Sequence, residues 1–78
     1  MKLNIITAHS SSEFNISWIE LNTPTGYIII QEDHAPCILE LEKEKPILFQ
    51  LTTGKQKSIA IKHGFAHISR NIIKLIVP

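Results

Sequence analysis

Cysteine is nearly absent from this chain: Cys37 is the only one, so no internal disulfide can form and 78 residues must hold together without that staple. A reducing compartment or a stabilising partner fits this better than a secreted, disulfide-dense scaffold. Glycine is scarce as well. Three isolated glycines cannot build the Gly-rich loop at a helix start that cradles phosphate, and nucleotide binding is disfavoured. Neither sign of charge dominates, since eight Lys and Arg stand against seven Asp and Glu. No long-range field would therefore draw the protein onto nucleic acid or an anionic membrane. The five aromatics lie mostly on apolar stripes and the lysines are scattered, which argues against an oligonucleotide-binding barrel. Long apolar runs are missing too, the longest being Tyr27 to Ile30 and Leu75 to Pro78, far short of a membrane span. The opening Met1-Lys2-Leu3-Asn4-Ile5-Ile6-Thr7 has no apolar stretch of signal-peptide length. Neither export nor direct membrane insertion is expected.

What the chain has in abundance is aliphatic, mostly β-branched bulk: fifteen Ile, seven Leu and one Val. That is too much for a disordered segment, and the length allows a single domain spanning residues 1–78. The apolar residues recur with period 2 in short blocks divided by turn formers, which predicts an all-β domain. Leu3 to Thr7 opens the series. Phe14, Ile16 and Trp18 then hold an even phase, whereas Ile19 and Leu21 hold an odd one, so a β-bulge is expected near Trp18. Thr23-Pro24-Thr25-Gly26 reads as a turn and Tyr27 to Ile30 as a buried strand. Cys37 to Lys45 has helix-forming content after Pro36, but Leu39 and Leu41 alternate with Glu40 and Glu42, and a strand ending in the turn Glu42 to Lys45 is the better reading. Ile47, Phe49 and Leu51 form the next strand, and Thr52-Thr53-Gly54-Lys55 turns it towards Ile59 and Ile61. Phe65 to Ile68 and Ile72 to Val77 complete the pattern, the latter apolar on both faces as a central strand would be. Eight to ten strands, about ten in all, predict a β-sandwich or flattened barrel whose edge strands must be charged, shortened or paired.

Chemistry is hard to find in this pattern. His34, Cys37, His63 and His67 are nitrogen and sulfur ligands of the kind zinc takes, so a small metal-binding protein is one reading. The first pair spans a proline, however, and Gly64 and Phe65 oppose the helix a finger would need. The simpler reading is rim or interface histidines and a small thiol. No nucleophile elbow is present, and Ser10-Ser11-Ser12 beside His9 reads as a polar hairpin. Trp18 is assigned to the core, its usual place, with an interface anchor as the alternative. Neither catalytic residues nor a cofactor is expected, and a binding role is the default.

Two segments carry a family resemblance. Gly26-Tyr27-Ile28-Ile29-Ile30-Gln31-Glu32-Asp33-His34-Ala35-Pro36 resembles the Gly-Glu-Leu-Gly-Ile-Leu-Pro-Gly-His-Ala-Pro loop of the epsilon subunit of F-type ATP synthases, with Gly26 and His34-Ala35-Pro36 matching directly. Ile59 to Ile68, followed by Asn71-Ile72-Ile73-Lys74-Leu75, is similar to that family's Val-x-Gly-Gly-Phe-Ala-Glu-Val and Asn-x-Val-x-Ile-Leu. Departures fall at Ile29, Gln31, Glu32 and Asp33, and at His63, which replaces the first glycine of the pair. The resemblance implies a sandwich of roughly ten strands at the foot of the central stalk, bound to the gamma subunit and the ring of c subunits. It implies a rotor part that couples proton-driven rotation to ATP synthesis without catalytic chemistry of its own, peripheral on the cytoplasmic face of the inner membrane.

The Gly26 to Pro36 segment is then the expected ring-facing loop, with Gly26, Tyr27, Gln31, Glu32, His34, Ala35 and Pro36 as contacts. Because the sequence stops at Pro78, a short form without the family's C-terminal helical hairpin is expected, the alternative being a piece of a longer subunit. The alternative from the residues alone is a free-standing β-sandwich interaction module, and nucleic acid is not an expected partner.

Overall fold

Alternation of apolar and polar side chains leaves each strand with one face to bury. A computed structural model describing residues 1–78 shows how eight strands do so, without a helix. In chain order these are β1 (Lys2–Ile6), β2 (Ser11–Thr23), β3 (Gly26–Gln31), β4 (Cys37–Leu41), β5 (Ile47–Leu51), β6 (Gln56–Ile59), β7 (Gly64–Ile68) and β8 (Ile72–Ile76). The Cys37 stretch is a strand, and the charged residues after it form a turn in which Glu44 takes the left-handed conformation at φ 58°.

The strands form a continuous sheet in the order β4-β7-β8-β1-β2-β5-β6, with β3 paired to the far half of β2. The 13-residue β2 is the hinge of the sandwich. Its first residues pair with β1, Ser11 opposite Ile6 and Asn15 opposite Lys2, whereas its later ones pair with β3 and β5. Between Ile16 and Trp18 the register slips by one residue, so Ser17 is the extra residue of a bulge. A bulge adds twist and reverses which side chains face inward. That is why Phe14 and Ile16 face the core on even numbers and Ile19 and Leu21 on odd ones. The sheet thereby folds over on itself, with β4-β7-β8-β1 in one layer and β3, β5, β6 and the end of β2 in the other.

Strands β1 and β8 run parallel, with Leu3 opposite Ile73 and Ile5 opposite Leu75, joining the two ends of the chain at the centre of the first layer. Thirteen apolar side chains, including Leu3, Ile19, Ile30, Phe49, Ile68 and Leu75, fill the space between layers, and no polar side chain is buried with them. Phe49 is the largest fully enclosed residue and meets the half-buried Phe14 at 5.2 Å between ring centroids. Expected as central, β8 does lie between β7 and β1, but Ile72 and Ile76 on its outer face are open to solvent. The second layer of the same chain covers only the inner face.

One glycine is needed for space rather than for φ. A Cβ added to Gly64 would lie 2.5 Å from the Ile76 carbonyl oxygen and 2.8 Å from a Val77 methyl. The nearer obstacle is backbone, so β7 and β8 would have to part. Gly64→Ala is expected to cost about 1–3 kcal/mol, in the range of overpacked sites, and to lower the melting temperature by roughly 5–20 °C for a domain of this size. A thermal melt followed by circular dichroism checks this, and an unchanged midpoint would contradict the close packing.

Candidate protein-interaction surface

The register of the first layer places its outward side chains in rows. One row runs Glu40, Phe65, Ile76, Ile6 and Ser11 across β4, β7, β8, β1 and β2, each residue directly opposite the next. The neighbouring row runs Ile38, His67, Lys74, Asn4 and Glu13. A third begins at Ile72, opposite Lys2 and, beyond it, Asn15. Ile38, Phe65, Ile76 and Ile72 are 70, 53, 51 and 40% exposed, although strand positions on a solvated sheet face normally alternate to polar residues. Phe65 and Ile76 face each other across β7 and β8, Ile38 lies diagonal to Phe65, and Ile72 stands on the far side of Lys74, so this face carries exposed apolar bulk of the kind that marks a protein contact. Phe65, Ile72 and Ile76 sit on β7 and β8, which are hydrogen-bonded on both sides, and Ile38 sits on the edge strand β4.

This surface was not singled out from the sequence. Its signal was there in β8, where Ile72 and Ile76 are apolar in the opposite phase to Ile73 and Leu75; reading both phases as buried hid it. Trp18 also departs from expectation. It is partly exposed and points away from the core, because the bulge at Ser17 puts it in phase with Glu20 rather than with Ile19.

The segment expected to be one ring-facing loop divides in two. Gly26 to Gln31 is an edge strand, paired to β2 from Gly26 opposite Thr23 to Gln31 opposite Trp18, and only Glu32 to Pro36 is loop. Gly26 and Pro36 therefore lie at opposite ends of the sandwich. The strand is not buried throughout: Tyr27 is 67% and Ile29 49% exposed, while Ile30 is enclosed. Gln31 and Glu32 are exposed and His34 is half-buried, its Nδ1 placed 2.8 Å from the Ala35 carbonyl oxygen; Ala35 and Pro36 are exposed. Asp33 stands where the resembling loop has glycine. It takes a left-handed conformation of the kind glycine favours, at φ 65°, and lies 3.8 Å from Arg70 in the β7–β8 turn. Both partners are exposed, so this pair adds little stability.

The four possible zinc ligands do not converge. His34 and Cys37 lie at the start of β4, and His63 lies beside its far end, next to Glu40 and Lys43. Cys37 and His67 sit on paired strands, but the thiol is packed against the core while the imidazole is on the solvent side. No group of three or more His, Cys, Asp or Glu is placed to hold a metal ion. No helix is long and apolar enough to cross a membrane.

A bent β-sandwich with exposed apolar side chains across β4, β7 and β8 has the form of a small docking domain. Residues 1–78 match the family model of the ATP synthase delta/epsilon chain β-sandwich domain, and the chain belongs to that family. It is 35% identical over 74 residues to an ATP synthase epsilon chain of Mycoplasma mobile, covering 92% of this chain and 52% of that one. The chain thus spans about half the length of this curated relative. Among solved structures, it resembles a chain of the Euglena gracilis mitochondrial ATP synthase with OSCP, F1 and c-ring, at a TM-score of 0.85 and 16% identity over 96% of this chain and 48% of that one. It also resembles a chain of the central stalk and c-ring of the Tetrahymena thermophila mitochondrial ATP synthase, at 0.82 and 17% identity over 99% and 62%. At these identities the structural likeness bears on the fold.

Proposed function

We infer that this chain is a non-catalytic rotor subunit of an F-type ATP synthase, binding the gamma subunit and the c-ring in the central stalk and transmitting proton-driven rotation towards ATP synthesis. The observation that carries this is the apolar patch of Ile38, Phe65, Ile72 and Ile76 on the outer face of β4, β7 and β8. Family membership over the whole chain supplies the setting, and the curated relative is itself an epsilon chain. We assign the patch to the gamma subunit, because torque coupling needs a rigid body held on a stiff, extended face rather than on a mobile loop. Chemistry belongs to other chains of the complex. The place of the subunit is then peripheral, on the cytoplasmic face of the inner membrane, within the membrane-bound assembly and as one folded unit of residues 1–78.

The ring contact falls to the exposed strand β3 and the loop after it, with Gly26, Tyr27, Gln31, Glu32, His34, Ala35 and Pro36 as candidates. The acidic pair Glu32 and Asp33 gives that loop a charge that basic or amide groups on polar ring loops would complement. The combined variant Glu32→Lys with His34→Ala is expected to lower the amount of c-ring co-purifying with the stalk several-fold, while the isolated chain melts within a few degrees of the parent. Undiminished recovery of the ring would remove this loop from the contact. Loss of gamma as well would show that the two surfaces are not separate.

A further inference from the structure

We propose that the partner docked on the outer face of β4-β7-β8-β1 presents a carboxylate to Lys74 and His67, so that this interface joins an apolar contact to an acidic one. The proposal rests on the assignment of that face to the gamma subunit and adds the chemistry the partner must carry there.

The argument begins from what faces these two side chains. His67 and Lys74 are directly opposite each other on β7 and β8, both exposed, in the row next to Phe65 and Ile76. A base beside a base leaves each without an opposite charge on its neighbouring strand. On the far side of His67 the opposing residue is Ile38 on β4; on the far side of Lys74 it is Asn4 on β1. The acids of this face are engaged or displaced. Glu13, one strand beyond Asn4, has its Oε1 3.3 Å from the Lys2 ammonium, and Glu40 lies opposite Phe65, diagonal to His67. The chain has two ion pairs, Lys2 with Glu13 and Asp33 with Arg70, and neither includes Lys74.

A shallow cavity of about 290 Å³ opens beside the Lys74 stem, lined by Asn4, Ile6, Ser11, Ser12 and Glu13. Asn4, one of the lining residues, has its Oδ1 out of contact with solvent and accepting no hydrogen bond. When a partner covers the apolar row, water leaves this adjoining row as well. An ammonium desolvated without a counter-charge is costly, whereas one meeting a carboxylate across the interface is offset and fixes the register of docking. Charge complementarity therefore selects an acid-bearing partner surface over a purely apolar or a basic one.

The test uses the full chain added back to an ATP synthase catalytic complex depleted of it, with binding measured by fluorescence titration. Lys74→Glu is expected to weaken binding at least 10-fold and Lys74→Gln about 3-fold. The parent's affinity should fall as salt is raised from about 50 to 300 mM, over which screening shortens the reach of the charges, and the fall should be smaller for Lys74→Gln. Phe65→Thr serves as the control for the face itself. Lost binding in Phe65→Thr with unchanged binding in Lys74→Glu would overturn the acidic complement and leave the gamma assignment standing. Unchanged binding in Phe65→Thr would overturn both. All three substitutions are on exposed positions, and an unchanged melting curve for each confirms that binding rather than folding is being read.

Discussion

Phe49→Ala is expected to lower the melting temperature by about 15 °C or more and to leave a measurable unfolded fraction at 37 °C. Phe49 is fully enclosed, and its ring bridges the two layers from β5 to Phe14 on the other side of the hinge. Removing a buried phenylalanine ring costs roughly 3–5 kcal/mol, because the lost transfer energy adds to the cavity left behind. A domain of this length has about 4–12 kcal/mol in total on the usual scale of stability per residue. A single cysteine allows no internal disulfide, and no group of side chains is placed to hold a metal ion that could make up the difference. The loss also frees Phe14, over whose ring the Lys57 ammonium sits 5.6 Å from the centroid. A denaturant or thermal melt decides it, and a shift below about 5 °C would mean that the layers are not held together through this residue.

The opposite pattern is expected for the double variant Phe65→Thr with Ile76→Thr. Threonine keeps a β-branched side chain suited to a strand, and both positions are half open to solvent, so the fold should melt within about 5 °C of the parent. Binding to the gamma subunit should fall roughly 100-fold. Truncating a central aromatic anchor costs about 2 kcal/mol or more, and its aliphatic neighbour adds to this once the interface excludes water. Titration against the depleted complex provides the affinity. Retained affinity would place the gamma contact elsewhere on the sandwich.

Much of the fold follows from alternation alone, for reasons these residues make plain. The phase change between Ile16 and Ile19 cannot occur on a regular strand that keeps one face buried, so it announced the bulge at Ser17 on which the sandwich turns. The turn at Thr23 to Gly26 and the hairpin at Thr52 to Lys55 were legible because a short connection constrains its own residue types. Pairing between distant segments was not. Nothing in Leu3 or Ile5 names Ile73 or Leu75 as a partner, because β-branched residues fit any pleated neighbour and the parallel β1–β8 contact spans the chain.

The surface was legible only in part, and for a related reason. Periodicity divides a strand into two faces without saying whether anything covers the second one, so Ile72 and Ile76 read as buried although the second layer leaves them open to solvent. In β3, alternation and the likeness to a family loop pulled in different directions. The strand pairing with β2 agrees with alternation over Gly26 to Gln31 and leaves Glu32 to Pro36 as the loop.

The measurement that bears most directly on the rotor assignment is the composition of the complex that forms around this chain in its native cells. An affinity-tagged chain, solubilised from membranes in mild detergent and analysed by quantitative mass spectrometry, is predicted to bring down the gamma subunit at one copy per copy of the chain, together with the c-ring and the catalytic subunits. Recovery of the chain free of gamma and ring subunits, or in stoichiometric complex with proteins outside an ATP synthase, would contradict it.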